Sequence, residues 1–297
     1  MTTATSFDDL TVATLTEELR SAGYIADRGL ATSLLISMKL GRPILLEGEV
    51  GVGKTELAKT VAALYGRKLI RLQCYEGIDT HQALYEWDYA RQMLAIRTMS
   101  DSQKTGDDAA VDQLFGDKYL IERPLLEAIK AGDQCVLLID EVDRADDEFE
   151  AFLLEILSDF QITIPEIGTI KASSRPIVIL TSNRTRELHD ALKRRCLYNW
   201  IGFPPAGQEL EIVQSRLPGI GAALAAKVVS AVNTLREMEL EKTPGVAETI
   251  DWVASLDAIG VDELTEESAA QTLGAVIKGR DDLEFAKNNL SEIVSGL

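Results

Sequence analysis

The sequence predicts a parallel α/β sheet domain followed by a small all-α domain. Short, nearly continuous apolar runs alternate with segments of helical period from the N-terminus to about Phe203. Such unbroken runs are what a parallel sheet covered on both faces requires. Pro204-Pro205 ends the alternation. After it the pattern is helical only, broken at Pro218-Gly219, Pro244-Gly245 and Gly260. These observations divide the chain into residues 1–205 and 206–297.

The elements follow in order. PILLEG (43–48) reads as the first buried strand, and KTELAKTVAALYG as a helix that begins after a glycine-rich turn and stops at Gly66, a left-handed terminator. KLIRLQC (68–74) is the second strand. EGIDTHQALYEWDYARQMLAIR (76–97), with Tyr85, Trp87 and Tyr89 clustered, is far longer than a usual connection. CVLLID (135–140) is the third strand. DDEFEAFLLEILSDF (146–160) places Phe149, Phe152, Leu153, Ile156 and Leu157 on one helix face. QITIPEIGTIKAS (161–173) reads as a hairpin. PIVILTSN (176–183) and YNWIGF (198–203) complete a five-stranded sheet, with a short helix between them starting near Thr185.

Composition narrows the function. Of 297 residues, 46% are apolar and 26% charged, as in an ordinary globular protein, and no apolar run is long enough to span a membrane. MTTATSFDDL lacks the basic and apolar regions of a secretory signal. Cys74, Cys135 and Cys196 are odd in number and far apart, and His81 and His189 are too few for a metal cluster. A cytoplasmic location is expected. Net charge is −18, and from Ala206 onward 16 acidic residues face 7 basic ones. That balance repels a phosphate backbone and disfavours nucleic acid as a partner.

Four motifs carry chemistry. Gly48 to Thr55 fits GxxxxGK[ST] between a strand and a helix. Gly48, Gly51 and Gly53 let the backbone curl, so that N–H groups of the loop Gly48, Glu49, Val50, Gly51, Val52, Gly53, Lys54, Thr55 and Glu56 face phosphate oxygens. The helix N-terminus adds partial positive charge. Lys54 is placed to reach the β- and γ-phosphates, and the Thr55 hydroxyl to bind Mg²⁺. VLLIDEVDR (136–144) delivers two carboxylates at the end of a buried strand. Asp140 would face Mg²⁺, and Glu141, pointing the other way by strand alternation, would polarise the attacking water. ILTSNRTR (179–186) ends a strand in Asn183, which could orient that water. ALKRRC (191–196) supplies Arg194 and Arg195, with Arg195 favoured as a finger reaching a neighbour's γ-phosphate. A GTP-binding switch is the weaker alternative, because no [NT]KxD stretch is present to read guanine. A nucleic-acid motor or loader of the same fold is the other.

In this order the motifs resemble those of AAA+ ATPases: a P-loop core with a parallel five-stranded sheet and a small all-α lid. The chain is similar in particular to the MoxR group and, within it, to CoxD-type proteins associated with carbon monoxide dehydrogenase. The likeness rests on LQCYEGIDTHQALYEWDYARQMLAIR, LIDEVDRADDEFEAFLLEILSDFQITIPEIGTI and LTSNRTRELHDALKRRCLYNWIGFP. It implies ATP and Mg²⁺ as cofactors and a homo-oligomeric, hexameric ring whose sites are completed by a neighbour's arginine. It makes 76–97 the helix-2 insert and 161–173 a hairpin facing pore or client. It further implies a chaperone role in maturing a molybdenum- or copper-dependent metalloenzyme, with a partner carrying a von Willebrand factor type A domain. One position departs from the group. Where relatives place a sensor arginine, GVAETIDW (245–252) has Glu248 and Thr249, and Arg216 is a candidate replacement. Gln73 is a candidate restraint on Glu141.

Overall fold

A computed structural model describes residues 7–101 and 113–295. Nine strands occur in chain order among these residues: β1 (Ile44–Gly48), β2 (Lys68–Gln73), β3 (Tyr85–Trp87), β4 (Leu120–Glu122), β5 (Cys135–Asp140), β6 (Gln161–Ile164), β7 (Gly168–Lys171), β8 (Ile177–Ser182) and β9 (Leu197–Ile201). Five of them form a parallel sheet in the order β2-β5-β8-β1-β9. Every residue of β1, β5 and β8 is buried, which is why those runs carry no polar alternation. The strands run parallel, so each connection must cross over, and helices occupy the crossovers.

By internal contacts the chain forms two compact units. The first comprises residues up to Thr11, Thr32–Leu46 and Val61–Asn199; the second comprises Val12–Ala31, Glu47–Thr60 and the chain from Trp200 onward. The first unit is built on β2, β5 and β8. Leu137, Ile139 and Leu180 of its strands pack with Leu126 and Ile129 of the helix Pro124–Ala131 and with Phe149, Leu153 and Ile156 of the helix Asp147–Asp159. Asp146 caps the latter helix by accepting the Phe149 N–H at 2.8 Å, and Phe160 ends it in a left-handed conformation. Its three cysteines are buried thiols, and burial pushes Cys74 and Cys196 up to about 12 and Cys135 up to about 11.

One segment of this unit differs from expectation, and the long connection after β2 holds several elements. It contains a short helix, Thr80–Ala83, then β3, then the helix Tyr89–Asp101. β3 pairs antiparallel with β4, more than thirty residues on, with Tyr85 opposite Glu122. Short strands of three residues carry too little periodicity to be read from sequence. The helix expected near Thr185 starts instead at Asp190 and ends at Arg195. Residues 183–189 are held as a turn by side chains of the preceding segment, described below. The hairpin 161–173 forms as β6 and β7, with Ile162 opposite Ile170.

The second unit has its own core. Trp252, Val253 and Leu256 of the helix Val246–Ala258 pack against Val228, Val232 and Leu235 of Ala222–Glu237 and against Leu273 and Ile293. Inside this apolar bundle Arg236 pairs with the fully buried Glu209 through two bonds, of 2.6 and 2.8 Å. Thr249 Oγ1 donates to the same carboxylate at 2.6 Å, and Arg236 Nε donates to the Pro244 carbonyl at 2.9 Å. A buried carboxylate is tolerable only when so fully paired.

Candidate active site

The glycine loop runs from the end of β1 to the helix Lys54–Leu64. Gly48 has φ +157°, and a Cβ there would lie 1.9 Å from the Ile201 carbonyl oxygen. Gly51 has φ +76°, and its Cβ would lie 2.9 Å from Glu248 Oε2 and 3.1 Å from the Gly245 Cα. Both positions therefore demand glycine for space as well as for conformation. Glu49 and Val50 are exposed at the loop tip, and Gly51, Val52, Gly53 and Thr55 are half-buried. Lys54 is buried and folds back over the loop, donating to the Gly48 carbonyl at 2.9 Å and the Glu49 carbonyl at 2.6 Å. Glu56 follows in the first helical turn. Its carboxylate accepts from Arg216 at 2.6 Å and Lys59 at 3.2 Å. Burial raises its pKa, but the bonds from Arg216 and Lys59 outweigh that and hold the carboxyl below its ordinary value.

The same unit places the start of the helix Val246–Ala258 against the loop. The Ala247 N–H donates to the Gly51 carbonyl at 3.2 Å, and Glu248 Oε2 accepts from the Gly245 N–H at 2.9 Å. Glu248 thus caps its own helix, Thr249 belongs to the buried Glu209 network, and Arg216 is spent on Glu56. Tyr24 lies nearby, 3.8 Å from where a Gly53 Cβ would be. Burial, then Asp27 and Glu56, raise its hydroxyl pKa above the ordinary range.

The carboxylates lie in the first unit. β5 ends at Asp140, and Glu141 follows with φ +54°. Glu141 is thus aimed by a left-handed backbone rather than by strand alternation, a conformation that costs a non-glycine residue about 1–3 kcal/mol. The Thr181 hydroxyl accepts from the Glu141 N–H at 2.9 Å and donates to Asp140 Oδ1 at 2.6 Å. Glu141 Oε2 accepts from Gln73 Nε2 at 3.0 Å and from Arg144 at 3.2 Å. Asp140 Oδ2 accepts twice from Arg71, at 2.9 and 2.6 Å. Asn183 stands one residue past β8, and Asp143 binds its turn. Asp143, only 1% exposed, accepts from the Asn183 N–H at 3.2 Å, the Thr185 N–H at 2.8 Å and the Thr185 hydroxyl at 2.7 Å. Arg186 anchors the turn further by donating to the Ala145 carbonyl and pairing with the buried Glu150. These contacts displace the expected helix. An acidic cleft of about 890 Å³ opens here, lined by Glu141, Asp143, Arg144, Asn183, Thr185 and Arg186 among others.

Sequence reasoning singled out Asp140, Glu141, Asn183 and Gln73, and the structure brings them together. It did not find Arg71, Asp143 or Thr181. An arginine inside the apolar run KLIRLQC and the second aspartate of DEVDR were the available signals. Arg194 and Arg195 lie in the last turn of Asp190–Arg195, both exposed. Arg195 donates to Ser158 Oγ at 2.7 Å and to the Ala191 carbonyl. The Arg194 carbonyl accepts from Arg42 at 3.1 Å, and its guanidinium has no partner among the described residues.

A family profile agrees with this architecture. The profile of the AAA domain (dynein-related subfamily) matches residues 43–196, just over half of the chain. The chain belongs to this family, and is a nucleotide-binding ATPase of the AAA+ class. SH1500 of Staphylococcus haemolyticus is 26% identical over 206 residues, covering 67% of this chain and 70% of that protein. The chaperone protein ClpB of Bacillus cereus is 31% identical over 150 residues, covering 48% of this chain but 14% of ClpB. A mutant RuvB from Thermotoga maritima is similar at 16% identity with a TM-score of 0.48, covering 91% of this chain and 72% of that one. Among the described residues, no helix is long and apolar enough to cross a membrane.

Proposed function

We propose that this chain is an Mg²⁺-dependent ATP-driven chaperone or remodeller of the MoxR group, CoxD-like, acting in maturation of a molybdenum- or copper-dependent metalloenzyme. The observation that supports the catalytic part is the pair of ties at the strand ends: Thr181 holds Asp140 and Glu141, and Asp143 holds the turn that carries Asn183. The client assignment is carried by the stretches 72–97, 138–170 and 180–204.

The roles follow from chemistry. The loop 48–55 holds the triphosphate through backbone N–H groups, and Lys54 exchanges its two carbonyl partners for β- and γ-phosphate oxygens. Thr55 and Asp140 are the residues that would hold Mg²⁺. Asp140 suits that role, because its Oδ2 already faces a cationic group of the protein. Bound there, the metal supplies charge neutralisation of the phosphates. Glu141 accepts a proton from the attacking water, and Asn183 orients that water. Arg194 or Arg195 acts in trans in a hexameric ring. The engagement of Arg195 within its own chain favours Arg194.

Two measurements test this. ATPase activity per subunit should rise with protein concentration as rings form, and Arg194→Ala should lower it by about 10³-fold. Wild-type hydrolysis by a form with both arginines changed to Ala would remove the finger. The Glu141→Gln form, holding ATP, should enrich a metalloenzyme and a von Willebrand factor type A protein from cell extract. No such enrichment would contradict the client assignment.

A further inference from the structure

Asp140, the carboxylate read above as facing the metal, is already occupied by a cation of the protein. Both Arg71 donors converge on one oxygen, Oδ2, while the Thr181 hydroxyl holds Oδ1. The Asp140 side chain is 3% exposed and that of Arg71 50%. Arg71 and Gln73 stand two residues apart on β2, hence on the same side of the strand, and Gln73 is in register with Asp140. That side delivers Arg71 to Asp140 and Gln73 to Glu141. Arg71 also donates to Gln73 Oε1, so the two pairs are joined.

We propose that Arg71 is a positioning residue that competes with Mg²⁺ for Asp140, holding Oδ2 as a surrogate cation until the metal takes it. This rests on the reading of Asp140 as the metal-facing carboxylate. A buried carboxylate stays ionised only with a counter-charge, and a guanidinium is always charged. Mg²⁺ bound through an aspartate needs a carboxylate oxygen at about 2.0–2.1 Å. Two N–H groups on that oxygen occupy its lone pairs, and a guanidinium beside a dication is repelled. Arg71 must therefore leave as the metal binds. Its departure also breaks the bond to Gln73, the amide that restrains Glu141. Metal arrival at Asp140 is thereby felt at the proposed base through Arg71 and Gln73, two side chains on one strand.

The test is a Mg²⁺ titration of the full chain at fixed mant-ADP, read by fluorescence anisotropy. Arg71→Met removes the charge and keeps the length; it leaves Asp140 without its counter-charge until Mg²⁺ binds, so a thermal melt checks that the fold is retained. The Mg²⁺ midpoint should fall about tenfold in Arg71→Met, the scale of a lost charge-assisted hydrogen bond. Arg71→Lys, with a point charge and no fork, should fall between it and wild type. An unchanged or raised midpoint in Arg71→Met overturns the competition. Asp140→Asn should lose the Mg²⁺ dependence. If it keeps the wild-type midpoint, the assignment of Asp140 fails first, and this inference with it.

Discussion

In the phosphate loop the backbone makes the shape. Gly48 and Gly51 are pressed against Ile201, Gly245 and Glu248, and the side chain that folds back over the loop is Lys54. In the carboxylate cleft the side chains make it. Asp140, Glu141, Thr181, Gln73 and Arg71 are bonded to one another across three strands, and Asp143 separately holds the Asn183–Thr185 turn. The first device tolerates almost no change of residue at its glycines. The second tolerates single changes but redistributes charge when one is made.

Substitutions separate the two devices. The largest expected effect is Gly48→Ala. Its Cβ has no room before the Ile201 carbonyl, and the change should destabilise the chain by about 3 kcal/mol, seen as a lower urea midpoint. Wild-type stability would show that the loop adjusts as readily as the cleft. Next is Asp143→Asn. It retains the shape but weakens three bonds to the Asn183–Thr185 turn, costing about 1–3 kcal/mol. Turnover should fall by about 10–100-fold with nucleotide affinity retained, as the proposed water-orienting role of Asn183 requires. Equal losses in both would merge the two devices.

The smallest effect concerns Glu56. Its folded pKa lies below its unfolded one, so its contribution is present above the unfolded pKa and is lost as pH falls through the folded value. The urea midpoint of Glu56→Gln should therefore differ from wild type at pH 7 and converge on it as the pH falls through the folded value. A constant difference would mean that the bonds to Arg216 and Lys59 do not depend on charge.

The same contrast explains what the sequence disclosed. The glycine loop is eight contiguous residues between a strand and a helix, so its geometry is local and legible. All five sheet strands were legible too, because each is a short, mostly apolar run, though β2 and β9 are only partly buried. The cleft is assembled from β2, β5 and β8, some seventy and forty residues apart. Its endpoints, Asp140, Glu141 and Asn183, stand out as polar residues at strand ends. The ties between them do not. Nothing local says that Asp143 holds the Asn183 turn, or that Arg71 reaches Asp140. That tertiary tie also accounts for the helix expected near Thr185: polar residues there were free to read as helical until Asp143 and Glu150 claimed their N–H groups. Likewise β3 acquires its identity from β4, not from its own three residues.

In the proposed mechanism Glu141 is the base, and the nucleotide is held without it. The direct measurement is Glu141→Gln, with mant-ATP affinity and single-turnover hydrolysis recorded on the same preparation. Affinity within about threefold of wild type and hydrolysis lowered by 10²-fold or more are expected, about the scale of a lost general base. Hydrolysis at the wild-type rate with intact binding would contradict it.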